Sequence, residues 1–363
     1  QGRLSVSLQD AQRTQRWLQA LPGMGAAAAG WGLDGQAELN VSWRGGWQQL
    51  QRQLQGAGLL AGDAPQAAAG AGGFELQAQL TAPRLQIART AQDSAAALTL
   101  ELQRASAAVS GSLAQASLQW DGELRHRQEP TQPELRARLQ LHAQGGNRGA
   151  GRWQAQIDAL HLQASASGQP GPWTLQLADP LNLELRQSPQ LVLATSAGQA
   201  RLAGPAPGEV QLRWQPLHYA QGTQGLALLR SQGELLGLPL AWANAWHVDG
   251  QDALARLGLA GDLVLNARWD IDAGERLRAS ARVERASGDL RILRGDLEAS
   301  SVVHSSGQGQ TAPLAQATTP AGLRRAELNL NAEGDTLRAQ LEWDSERAGR
   351  VQMEGSTRLA RKD

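Results

Sequence analysis

The residues able to do chemistry in this sequence are few and poorly spaced for it. With no cysteine among 363 residues, thiol nucleophiles, thiolate metal sites and disulfides are all removed together. This does not fix a compartment, because an exported chain can also do without cysteine. Of the six histidines, His142 and His161 each fall between apolar neighbours, on the polar phase of an alternating stretch. His126, His218, His247 and His304 are scattered, and no two have metal-ligand spacing. Asp270 and Asp272 in "WDID", or Asp249 and Asp252 in "VDGQD", could attract a calcium ion. Neither pair continues into a liganding loop, and both suit turns. The run "GMGAAAAG" (Gly23, Gly25, Gly30) lacks the spacing of a phosphate-cradling loop and reads as a connection. No G-x-S-x-G occurs, and the only lysine is Lys362, which leaves little room for a Ser-Lys dyad. Arg276, Arg278, Arg282, Arg285, Arg291 and Arg294 interleave with Glu275, Glu284, Asp289 and Asp296, as on a solvated face. We read no enzyme, no cofactor and no metal here.

The elements that carry these residues are strands. Period-two alternation runs from end to end, as in Leu4/Val6/Leu8, Leu39/Val41/Trp43, Leu98/Leu100/Leu102, Leu135/Ala137/Leu139/Leu141 and Leu277/Ala279/Ala281/Val283. The residues themselves, Leu, Ala, Gln and Arg, favour helix by propensity. Sustained pattern outweighs propensity, and the expected fold class is all-β. Helical spacing shows in three places. Asp10 caps a segment carrying Trp17, Leu18 and Leu21, "GGWQQLQRQLQG" puts Trp47, Leu50 and Leu54 on one stripe, and Pro239 precedes Trp242 and Trp246.

Loops fall at 61–73 and 305–322, and none separates regions of different composition. The expectation is one continuous architecture over residues 1–363. "GDLVLNARWDIDAGERLRASARV" and "GDTLRAQLEWDSERAGRVQMEG" share a Gly-Asp turn, a strand ending in Trp-Asp, an acidic-and-Arg turn and a second strand. Each reads as one hairpin of a faint repeat. The 34 basic residues cancel 34 acidic ones, which disfavours nucleic acid as a partner. No apolar run reaches the ~20 residues of a membrane helix. The sequence opens directly on a strand pattern, which suggests a piece of a longer protein with its targeting segment upstream.

A long sheet with one apolar face can pack on another sheet, close into a barrel, or hold something apolar that is not protein. The strips here are mostly Leu and Ala, a smoother lining than the interlocking β-branched and aromatic residues of a dense sandwich. Twelve of the fourteen aromatics are Trp. Trp43, Trp120, Trp214, Trp269 and Trp343 all close an alternating strand in its apolar phase, a position that suits the rim of an apolar surface. A repetitive β-sandwich or solenoid spacer whose strips pack on one another stays open. An outer-membrane barrel fits less well, given one Tyr, one Phe and the helical interruptions.

The runs "LDGQAELNVSWRGGWQQLQRQLQ", "LLGLPLAWANAW" and "AELNLNAEGDTLRAQLEWDSERAGRVQMEGSTRL" resemble the TamB family of AsmA-like translocation and assembly proteins, a bridge-like lipid-transfer family of Gram-negative envelopes. The similarity covers most of the chain and places it before the family's conserved C-terminal domain. It implies a long U-shaped, antiparallel-rich sheet, a β-taco, with an apolar trough and a few short helices. The parent protein would be anchored in the inner membrane and lie in the periplasm. The implied activity is passage of phospholipids toward the outer membrane, linked to outer-membrane protein assembly and secretion. The implied partners are phospholipid acyl chains and a TamA-like outer-membrane barrel, the latter contacted through parts of the parent outside this chain. Residues carry over only as trough lining: Leu263, Leu265, Ala267, Trp269, Leu328, Leu330, Leu337, Ala339, Leu341 and Trp343.

Overall fold

The computed structural model describes residues 1–19, 31–56, 73–89, 98–127, 134–149, 151–187, 190–221, 227–245, 247–248, 251–274, 276–293, 318–347 and 349–359. The 61–72 and 305–317 portions of the two expected loops, and Trp246, lie outside them. The protein is all-β. Nineteen strands take part in the main antiparallel sheet pairing, and the other five form a two-stranded and a three-stranded sheet. The chain divides into two compact units, Gln1–Leu202 with Gln215–Leu229, and Ala203–Trp214 with Arg230–Asp363.

The first unit is a meander. Strands β1 (Gly2–Leu8), β2 (Trp31–Arg44), β3 (Glu75–Arg89), β4 (Leu98–Ser112), β5 (Ala116–Arg127), β6 (Leu135–Asn147) and β7 (Arg152–Ala166) pair antiparallel in order. The two halves of β7 then take different neighbours, β8 (Trp173–Leu177) and β9 (Leu181–Arg186). Strand β10 (Val192–Thr195) joins β9, and β11 (Gly198–Ala203) joins β8. Strand β12 (Glu209–Trp214) belongs to the second unit, whereas β13 (His218–Gln221) pairs with β10. Helix α1 (Ala11–Gln19) starts where Asp10 Oδ1 accepts the Arg13 N–H at 2.9 Å, and α2 (Trp47–Gly56) follows the Gly45–Gly46 break.

Side by side, the strands align their apolar phases. One row runs Leu4, Val41, Ala78, Val109, Leu118, Ala143, Ile157, Leu181 from β1 to β9 without a polar interruption. The next runs Val6, Leu39, Leu80, Ala107, Trp120, Leu141. The opposite face carries Ser, Asn and Gln with Ala108, His142 and charged residues such as Glu38 and Asp121, and Ser110 Oγ and Ser117 Oγ lie 2.7 Å apart across β4 and β5. In β4 the polar-phase residues Ser106, Ala108 and Ser110 are exposed while Ala107 and Val109 are half-buried.

Two adjacent bulges crease this sheet. Ala82 and Pro83 together oppose Ala37 of β2, and Arg104 (φ +49°) and Ala105 together oppose Gly122 of β5. An extra residue bends its strand, and here small residues line the bend. Ala82 and Ala105 are fully buried under Leu80, Leu85, Leu102 and Trp120. The apolar face therefore closes over the crease.

In the second unit β12 pairs with β14 (Ala227–Pro239), which runs into the 3-10 turn Leu240–Ala245. There Trp242 is buried, its Nε1 donating to the Ala206 carbonyl at 3.0 Å. Strands β15 (His247–Val248) and β16 (Gln251–Asp252) lead into helix α3 (Ala253–Arg256). Strand β17 (Leu259–Gly261) then enters a three-stranded sheet with β20 (Leu290–Leu293) and β21 (Thr318–Pro320), so residues 318–320 of the expected 305–322 loop are strand. The larger sheet runs β18 (Val264–Ala273), β19 (Leu277–Ser287), β22 (Leu323–Glu333), β23 (Thr336–Ser345), β24 (Gly349–Arg358). Both repeat units are hairpins, β18 with β19 and β23 with β24.

Candidate functional site

In the second unit nine of the ten expected lining residues lie on one face of the larger sheet, in four rows set by strand register, and Leu263 directly precedes its first strand. Ile271, Ala279, Ala332 and Leu337 form the first row, and Trp269, Ala281, Leu330 and Ala339 the second. The third is Ala267, Val283, Leu328, Leu341 and Met353, the last of which is 56% exposed. Members of these three rows in β18, β19, β22 and β23 are half-buried. The fourth row differs. Leu265 faces Arg285 of β19, and Leu265, Ala326 and Trp343 pack against a closed cluster of Leu263, Leu290, Ala321 and Leu323, with Leu240 also in contact. Leu263 is 4% exposed. It belongs to protein core, and Leu265 and Trp343 form the margin of that core; the other seven line the open part of the face.

That closed end is held by a carboxylate. Asp289 accepts backbone N–H groups from Leu290, Gly322 and Leu323 at 2.9, 2.9 and 2.8 Å, and its own N–H donates to Asp262 Oδ1 at 3.0 Å. Burial pushes the Asp289 carboxyl up, but the three N–H donors and nearby Arg285 outweigh it and hold the group below the usual aspartate range. The same staple thereby fixes β20 and the start of β22 around the buried leucines.

On the opposite face Glu327, buried to 7% exposure, takes hydrogen bonds from Asn329 Nδ2 at 2.8 Å, Arg325 Nη2 at 2.8 Å and Arg282 Nη2 at 3.0 Å. The Asn329 amide and Arg325 hold its carboxyl below the usual glutamate range. In the first unit Glu123 is lowered by Arg125, helped by Arg104. These ion pairs satisfy a polar outer surface and converge on no reacting centre. His142 and His161 lie on that polar phase, with His142 Nδ1 3.1 Å from Asp158 Oδ2. Asp272 is 3.6 Å from Arg230. Among the described residues no three His, Asp or Glu are placed to hold a metal ion, and no helix is long and apolar enough to cross a membrane.

Three of the tryptophans cover glycines. Trp43 lies over its cross-strand partner Gly2, where any side chain would enter the ring. Trp269 covers Gly233 in the same way, and its Nε1 donates to Ser231 Oγ at 3.0 Å. Trp120 packs near Gly122, whose added Cβ would meet its ring at 3.3 Å and Ala105 Cβ at 3.0 Å. Each indole fills the gap a glycine leaves in a neighbouring strand or position. The glycines were readable in sequence, but their pairing with Trp required the register.

Among the described residues thirteen apolar side chains are buried, and seven of them are Ala. Among the described residues, so thin a core leaves most of the long leucine rows half-buried and outside any sealed cluster. What the arrangement can do chemically is offer a broad, half-sheltered apolar surface backed by a charged one. No family model matches the chain, and neither a curated protein nor a solved structure matches it.

Proposed function

We propose that this chain is a lipid-holding segment of a TamB-like envelope protein, in which the apolar face binds phospholipid acyl chains without any chemical step. The observation that supports it is the set of apolar rows, half-buried over most of their length among the described residues, that recur in both units. Each row presents Leu, Ala and Trp side chains at a spacing of ~4.8 Å between strands. An acyl chain laid on them removes apolar surface from water at about 25 cal/mol per Å², and Leu/Ala surfaces accept it in many positions. That suits cargo which must move along the sheet. On this reading the apolar face lies in the periplasm, the parent is anchored in the inner membrane, and a TamA-like outer-membrane barrel is engaged by other parts of the parent.

A scaffold without cargo is the second reading, favoured by the closed cluster around Leu263, where the strip packs on protein. Native mass spectrometry of the chain purified from a bacterial periplasm, with lipid extraction, separates the two. Co-purifying phospholipid that disappears in a folded Ala339→Asp, Leu341→Asp variant supports the lipid segment. A folded wild type that never retains lipid leaves the scaffold.

A further inference from the structure

Three buried polar side-chain atoms among the described residues have no hydrogen-bond partner: His126 Nδ1, Asn147 Nδ2 and Trp153 Nε1. All three belong to the apolar face of the first unit. His126 lies between Leu100 and Leu135 at one strand end, whereas Asn147 and Trp153 are direct cross-strand partners at the other. Along β6 the two ends are twelve residues apart, ~40 Å of extended chain. The rows between them are apolar.

A buried donor without an acceptor is costly, and native proteins carry few. Here two such donors face the same side of one residue pair. The Asn147 amide is oriented by its own oxygen, which accepts the Gly149 N–H at 2.8 Å, so Nδ2 is the end left to donate. Trp153 can only donate. Beside them on the same face stand Ala155, Leu183 and Leu185. The pair is thus two uncharged N–H groups at the margin of an apolar surface.

We propose that Asn147 Nδ2 and Trp153 Nε1 together receive the carbonyl oxygen of an acyl ester, whose hydrocarbon chain then lies across the rows toward the middle of the strands. This rests on the acyl-chain reading above and adds to it a polar anchor point. An uncharged carbonyl fits two neutral donors, whereas the flanking cations, Arg148 and Arg152, sit on the opposite strand phase and Arg148 Nε donates to Gln154 Oε1 at 3.1 Å. His126 marks the opposite margin but supplies a single atom.

The test compares methyl palmitate with hexadecane, probes that share an alkyl chain and differ in the ester, by displacement of a fluorescent apolar dye from the full chain. Wild type is expected to prefer the ester by about tenfold, the scale of one or two buried hydrogen bonds. The Trp153 indole proton, assigned through Trp153→Phe, should move downfield in NMR spectra with methyl palmitate and stay in place with hexadecane. In an Asn147→Leu, Trp153→Phe double variant the preference should fall to parity. Equal binding of both probes by wild type, meaning that the donors hold water only, overturns the anchor and leaves the acyl-chain reading intact. A preference that survives in the double variant overturns it as well. Failure of both probes to bind removes the acyl-chain reading and the anchor with it.

Discussion

The two units write the same alternating pattern and finish it differently. In the first, apolar rows cross six to eight strands, and buried residues cluster in a crease lined by Ala37, Ala82 and Ala105. In the second, the rows meet a cap built from the 3-10 turn and the three-stranded sheet, and Leu263, Leu290, Ala321 and Leu323 are sealed beneath it. Local sequence is equally greasy in both. Among the described residues, what differs is whether a segment distant in sequence returns to cover the face. Strand alternation thus specifies an apolar surface, and an insertion decides whether it becomes core.

The largest expected effect comes from setting the cap against the open rows. Leu263→Asp buries an unpaired carboxylate and should destabilise the second unit by on the order of 3–5 kcal/mol. Leu341→Asp, on the half-buried third row, should cost well under half of that. Thermal unfolding of the two variants reads the difference, and equal losses would mean that the open rows are packed after all. Next in size is the staple. Asp289→Ala orphans three N–H groups and should cost about 2–3 kcal/mol, with protection of the Gly322 and Leu323 amides from hydrogen exchange lost first.

Acid should act on the same staple. Because the Asp289 carboxyl sits lower in the folded than in the unfolded chain, its stabilisation is complete above the ordinary aspartate range and is lost as pH falls through the folded value. Glu327 behaves alike. Unfolding midpoints of wild type should therefore drop below about pH 4, and the drop should be shallower in Asp289→Ala. A pH dependence unchanged by that substitution would assign the acid sensitivity elsewhere.

The crease supplies a smaller effect in the first unit. Gly122→Val pushes a side chain against Ala105 and the Trp120 ring and should cost about 1–3 kcal/mol. Gly355→Ala, with nothing within 4 Å, should be within about 0.5 kcal/mol of wild type. If the two glycine variants melt alike, the crease does not constrain the sheet.

Much of this fold was legible from spacing alone. Both repeat hairpins, the helix capped by Asp10 and the strands from Leu4/Val6/Leu8 to Leu341/Trp343 follow from alternation, which is a local property of an extended chain. The crease also left a trace, since apolar phase slips by one residue between Leu80 and Leu85 in "LTAPRL" and between Leu102 and Ala105 in "LQRA". Of the proposed lining, the shared face was readable, because residues two apart on one strand must point the same way.

Burial was not readable. Leu263 and Leu341 occupy the same phase of matching repeats, yet only Leu263 is core, because Leu290 and Ala321 reach it from across the sequence. Nor did sequence show that Asn147 and Trp153 stand side by side with no acceptor, or that Trp43 covers Gly2. Alternation fixes which side of a strand a residue faces. Only register and chain return decide what, if anything, it meets there.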